Sequence, residues 1–189
     1  VPMRDGHGQP FDFGIGKQHE FSADFLRELF HVDLFTGVAT WLKRPGETKE
    51  CKRWNTRYAG KQVGHLHKSG YLRVKLLGKT HLLHRLIFTW YHDKSCMFID
   101  HKDNNRLNNA IFNLRPCNKK QNVRNSRLRI SNSSGYKNVW LHKPTGKWGV
   151  SVTGDQGLVY LGLYVEKETA AAVAKKARHL LQGEFGRDV

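Results

Sequence analysis

Cysteine is scarce in this chain, and through its middle so is acid. The 189 residues hold three cysteines, Cys51, Cys96 and Cys117, odd in number, far apart and without a Cys-x-x-Cys pair. That argues against a disulfide framework or a four-cysteine zinc centre, and leaves buried thiols in a reducing cytoplasm as the expectation. Between Cys51 and Gly154 the only acids are Asp93, Asp100 and Asp103. No apolar run approaches the length of a membrane span, and the first residues lack the charged-then-apolar pattern of a secretory signal. A cytoplasmic protein with no membrane partner is expected. No long internal repeat is evident.

What is present is positive charge. Lys and Arg number 32 against 16 Asp and Glu, a formal net charge of +16. The acids gather near the two ends, while Arg106, Arg115, Lys119, Lys120, Arg124, Arg127 and Arg129 crowd the middle. A basic run is ordinarily a solvated face. This one crosses several elements without neutralising partners, which favours a polyanion footprint. No basic amphipathic helix is evident, so a membrane surface is the weaker partner.

Periodicity sets the coarse organisation. Residues 1–20 are polar and aperiodic and are expected as a flexible tail. Ser22 can cap a helix with Phe25, Leu26 and Leu29 on one face, and Gly37 turns the chain into a strand ending near Trp41. A basic, loop-like stretch is expected to about Gly64. Leu72, Val74 and Leu76 alternate with Arg73 and Lys75, Gly78-Lys79 turns, and Thr80 to Leu83 returns as a second strand. Leu83, Leu86, Ile87 and Trp90 then mark a helix face. Residues 126–134 are expected as a basic linker. Beyond it, Tyr136 to Leu141, Lys147 to Val152 and Leu158 to Tyr164 read as three strands. Ala170, Ala174, Ala177 and Leu181 line one face of a closing helix.

The chemistry concentrates in Asp100-His101 and the asparagine-rich run after it. Hydrolysis of a phosphodiester needs a proton acceptor and something to offset developing negative charge. An imidazole with an ordinary pKa suits the first task. An isolated carboxylate in a basic field suits a hard cation. Alone, an Asp-His pair ahead of asparagines is ordinarily a loop of Asx turns. His84 reads as a core histidine on its helix face or as a phosphate contact, the structural role being preferred.

Taken in order, Asp100-His101, Asn113 and Asn122 resemble the Asp-His, Asn, Asn pattern of HNH endonucleases of the ββα-metal type, in the branch of phage and intron homing enzymes. The likeness extends through Gly37 to Trp41, Tyr71 to Val74 and His84-Arg85-Leu86-Ile87, spanning Leu26 to Asn125. It implies a nuclease domain over 21–125 in which His101 is the general base and Asp100 and Asn122 ligate one divalent cation. By the same likeness Asn113 holds the histidine-bearing backbone. Asn122 stands where the family name has a histidine. An amide there shifts the preference toward magnesium, with manganese second, and away from zinc. Arg115 is a candidate phosphate contact or a plain surface arginine.

Residues 135–189 resemble the ethylene-response-factor type of DNA-binding domain. The likeness rests on Gly135-Tyr136, Val139, Gly146-Lys147-Trp148, Leu161-Gly162, Tyr164, Thr169 to Ala172 and Gly183 with Phe185. It implies a three-stranded antiparallel sheet packed on one helix, with the sheet entering the major groove. Lys137, Trp140, His142 and Tyr160 then fall where that family contacts DNA, and Lys143 and Lys147 become phosphate contacts. Trp148 is expected in the core. Arginines that the family uses at several contact positions are replaced here by Trp140, His142 and Thr153, which weakens sequence readout but not backbone affinity.

The expectation is an α+β, two-domain, magnesium-dependent endonuclease acting on double-stranded DNA as a monomer, nicking by default. The rivals are a DNA-binding protein on a degenerate HNH scaffold and an RNA-binding protein.

Overall fold

A computed structural model of the chain describes residues 21–188. The tail expected over 1–20 lies outside them. The protein is mixed α+β, with small antiparallel sheets and short helices, and it divides into two compact units between Asn118 and Lys119.

The first unit begins with α1 (Ala23–Leu29), where Ser22 acts as the N-cap, its hydroxyl accepting from the Phe25 N–H at 3.2 Å. The chain then makes a hairpin of β1 (Phe30–Asp33) and β2 (Val38–Trp41), with Phe30 opposite Trp41. Gly37 closes its turn at φ +69.

The stretch expected as loop contains a helix, α2 (Lys49–Tyr58). Its sequence hid it because its apolar face is thin, only Cys51, Trp54 and Tyr58, and no residue on it is buried. The Trp54 ring meets Trp41 edge-on at 5.6 Å, and local bonds add to that. The Thr48 hydroxyl accepts from the Cys51 N–H at 3.2 Å, and the Arg44 guanidinium lies 4.0 Å from the Trp54 ring.

Next come β3 (His65–Leu66), β4 (Leu72–Leu76) and β5 (Lys79–Leu82) in an antiparallel sheet of that order. The helix α3 (Leu83–His92) follows directly and buries Leu83, Leu86, Ile87 and Phe88. Together with Leu26, Phe30, Val32, Val63 and Val74 they make the core of the unit. Full burial of each such side chain contributes about 1.5–3 kcal/mol. The Trp90 indole N–H donates to the Phe30 carbonyl at 3.0 Å and ties helix to hairpin. Last in the unit is a hairpin of β6 (Phe98–His101) and β7 (Leu114–Cys117).

The second unit opens with α4 (Lys119–Arg124), which carries Asn122. Its sheet contains β8 (Val139–His142), β9 (Lys147–Gly154) and β10 (Gly157–Tyr164), antiparallel with β9 in the centre. The closing helix α5 (Lys167–Gln182) lays Ala170 and Ala174 on Val139 and Val150, with Trp148 packed beside them. Small helix residues allow that close approach. The segment expected as a linker, 126–134, forms no helix or strand and is mostly exposed; near its end Asn132 accepts from the Gly135 N–H at 2.7 Å, and Ser134 is buried.

Two of the three cysteines, Cys96 and Cys117, are buried. Burial pushes their thiols up to about 11 and about 12, so both stay protonated. Cys51 is only half-buried, which corrects the expectation of three buried thiols.

Candidate active site

The hairpin of β6 and β7 brings the chemistry together. Its register sets Asp100 opposite Arg115 and His101 opposite Leu114. Directly opposed residues share a face, so Asp100 meets Arg115. The Arg115 Nε and Nη2 donate to Asp100 Oδ2 at 3.0 and 2.9 Å, and both residues are 7% exposed. Arg115 is thus neither a surface arginine nor an outward phosphate contact. It is the buried counter-charge of the candidate ligand.

His101 is also buried, 4% exposed, with the buried Leu114 directly across the hairpin. The His84 ring stands 4.8 Å away and the Tyr71 ring 6.0 Å. Its Nε2 lies 3.0 Å from Asn109 Oδ1. With the amide presenting its oxygen, Nε2 carries the proton and the lone pair sits on Nδ1. Burial lowers the imidazole pKa below its ordinary value, against upward pulls from the Asn109 bond and the Asp100 and Asp103 charges. The neutral, proton-accepting form therefore prevails at neutral pH.

Nine residues, 102–110, link His101 to the short 3-10 turn Ile111–Asn113, and asparagines lace that loop. Asn113 donates from Nδ2 to Asp103 Oδ1 at 3.0 Å and to the Asn108 carbonyl at 2.7 Å, while its Oδ1 accepts from the Asp103 N–H at 3.1 Å. Its own carbonyl accepts from the Lys102 N–H at 2.9 Å. Asp103 accepts in addition from the Asn105 N–H at 2.8 Å and from Asn108 Nδ2 at 2.7 Å. Partial burial raises the Asp103 pKa, but these hydrogen bonds outweigh it and hold the carboxylate below its usual range. The Asx turns that would be the plain reading of the run are therefore present, and they shape the loop that delivers Asn109 to His101.

A distant turn supports that delivery. The Ile111 N–H donates to the Leu34 carbonyl at 3.0 Å, and a Cβ on Gly37 would stand 2.1 Å from the Asn109 carbonyl carbon. Gly37→Ala must therefore push the 109–110 backbone away and also strain a left-handed φ. The expected cost is about 1–3 kcal/mol from the backbone conformation alone. Denaturant midpoints of the variant and the unsubstituted chain check it.

His84 is 5% exposed, and burial, with smaller contributions from the His101 and Arg85 charges, pushes it down to about 3. It stays neutral across the physiological range, which suits a core role and not a phosphate contact. Its folded pKa lies below the unfolded value, so the unfolded state binds the extra proton. Stability is then intact above pH ~6.5 and falls as pH drops toward ~3, by up to about 1.4 kcal/mol per pH unit. Calorimetry between pH 7 and 4 should show a falling melting temperature, with a shallower fall for His84→Gln.

Sequence reasoning missed Asn109, Asp103, Tyr71 and Gly37. The asparagine-rich composition flags the first two as a group, but nothing local singles out the partner of His101.

Asn122 is exposed on α4, in the second compact unit, as are Lys119 and Lys120. Its part in holding a cation rests on the resemblance. Among the described residues no group of three or more His, Cys, Asp or Glu could hold a metal. One carboxylate with the remaining positions left to water and phosphate oxygens is how magnesium is commonly bound. Asp100 is such a carboxylate, buried and already paired through Oδ2 with Arg115.

In the second unit, directly paired strand residues bring Trp140, His142, Lys147 and Tyr160 to the sheet face turned away from α5. Trp140 lies flat on Gly149, where a Cβ would come within 2.5 Å of the indole. Trp140 and Tyr160 are exposed, as are Lys143 in the turn, Arg127 and Arg129. Arg124 is not: it pairs with Asp155 at 2.8 Å and its side chain is 8% exposed. Lys137 is set apart from the sheet face, its Nζ donating to the Arg124 carbonyl at 3.3 Å. Comparison of the chain with protein-family models, with curated proteins and with solved structures finds no match in any of the three.

Proposed function

We propose that this protein is a magnesium-dependent endonuclease that hydrolyses a phosphodiester of double-stranded DNA, with His101 as general base. The observation that carries the reading is the His101 imidazole held through Nε2 by Asn109, one residue along β6 from a buried carboxylate. The loop that follows β6 is held in shape by Asn113. Nδ1 accepts the proton of an attacking water, and Asn109 keeps the ring in the tautomer that allows it. Asp100 would hold the cation, which when bound offsets negative charge developing on the phosphate and leaving oxygen. The exposed aromatic and basic side chains of the C-terminal sheet, with Lys119, Lys120, Arg127 and Arg129, supply affinity for the duplex.

Hydrolysis of this kind leaves a 5′ phosphate and a 3′ hydroxyl. Incubation of end-labelled duplex with protein and magnesium should give breaks that DNA ligase reseals. Breaks that resist ligation would overturn the chemistry proposed.

A second reading, a DNA-binding protein that does not cut, is favoured by one pair of facts. Asp100 Oδ2 is occupied by Arg115, and His101 is 4% exposed. Duplex binding without any magnesium-dependent cleavage would establish it.

A further inference from the structure

The second unit contains a cavity of about 400 Å3 on which the catalytic reading makes no demand. Its walls come from the segment 123–132, the approach to β8, the end of β9 and the last turns of α5. Arg124, Arg127, Arg129, Lys137 and Arg178 line it, and among the described residues no carboxylate does. Ser126, Ser131, Asn132 and Asn138 add hydrogen-bonding groups between the cations. None of Trp140, His142, Lys143, Lys147 or Tyr160 belongs to it, so it is separate from the sheet face.

Two of the arginines are fixed in place and still have donors to spare. Arg178 gives Nη1 to the Lys137 carbonyl and Nη2 to Asp188, both at 2.9 Å, with its side chain 5% exposed. Arg124 gives Nη1 to Asp155. Among the described residues Arg178 Nε and Arg124 Nη2 are buried with no acceptor, so Asp188 and Asp155 leave both guanidinium groups only partly satisfied. Buried N–H groups of native proteins nearly always find an acceptor, and a small shift of either side chain toward the cavity would let an anion supply it. Burial, and then the charges of Arg178 and Arg187, push the Lys137 ammonium down to about 8, against an upward pull from Asp188. An anion beside it would relieve that strain.

We propose that this cavity is a phosphate site, and that the phosphate it takes is a backbone phosphodiester of the bound DNA. The oxyanion chemistry follows from the lining, whereas the DNA source rests on the function proposed above. The volume far exceeds a single water's share of about 30 Å3 and leaves room for a phosphate with part of its sugar. Planar guanidinium forks match phosphate oxygens in pairs, which a lone lysine cannot do.

The test uses the full chain and two probes, inorganic phosphate by calorimetry and a labelled duplex by fluorescence anisotropy across a salt series. The pocket variant is Arg129→Gln with Lys137→Gln, and the exposed pair Lys43→Gln with Lys176→Gln is the charge-matched control. Arg129→Gln alone, at an exposed position, guards against misfolding of the double variant. Wild type should bind inorganic phosphate saturably and the pocket variant should not. For the duplex, the pocket variant should lose about 0.9 from the slope of log K against log salt for each phosphate contact removed, and the control should keep the wild-type slope. Loss of inorganic phosphate with an unchanged duplex slope overturns the DNA source. Absence of saturable phosphate binding, with both doubles alike on duplex, overturns the site. If wild type binds no duplex, the function proposed above fails, while the phosphate arm still reads the pocket.

Discussion

His101→Ala should lose cleavage by a factor of about 100 to 10,000, the usual range for a positioned general base, while duplex affinity stays within a few-fold. The two readouts part because the imidazole is interior: it donates to Asn109, meets the His84 ring edge-on with Tyr71 tilted nearby, and only 4% of its surface is open. DNA affinity is assigned to other residues, mostly on the second unit. Asn109→Ala is the informative companion. It leaves the imidazole present but frees its tautomer, so turnover should fall while the base survives, and the acid limb of the pH–rate profile should move. A variant that lost binding and cleavage together would point to unfolding.

Asp100→Ala should do two things at once: abolish cleavage and destabilise the fold by about 3–5 kcal/mol, because Arg115 would be left as an unpaired charge in the interior. The pair is 7% exposed on each side, so solvent does little to screen the loss. Inactivity of Asp100→Ala is for that reason weak evidence for a cation site. The double variant Asp100→Leu with Arg115→Met separates the effects. Replacing both charges with apolar side chains of similar size is often neutral or stabilising, so the denaturant midpoint should return toward wild type. Cleavage should stay lost, because the carboxylate is gone. Cleavage restored together with stability would remove Asp100 from the chemistry and leave it a structural role.

Elements whose signal is local were legible in the sequence. The alternation around Val74 and Leu76 gave a strand, and the Leu83, Leu86, Ile87 spacing gave a helix, because each face is buried by one core. The helix from Lys49 to Tyr58 was not legible, since nothing on it is buried and only Cys51, Trp54 and Tyr58 mark its apolar face among charged and polar neighbours. The candidate site divides in the same way. Asp100, His101 and Asn113 stand out by type and order within one hairpin. Arg115 was named but misplaced, because its pairing with Asp100 depends on a strand register that composition does not carry. The Gly37 contact with the backbone at Asn109 joins residues far apart in sequence and has no local signature. Lys137 was read with the sheet face, yet its side chain turns to the carbonyl of Arg124 and the basic cavity.

The central claim is tested most directly by supercoiled plasmid incubated with the purified full chain at a concentration that saturates DNA binding, with magnesium in one arm and a chelator in the other. The account predicts conversion to open circles in the magnesium arm alone, and none in either arm for His101→Ala. Plasmid that stays supercoiled with magnesium while fully bound, or nicking that His101→Ala leaves at the wild-type rate, would contradict it.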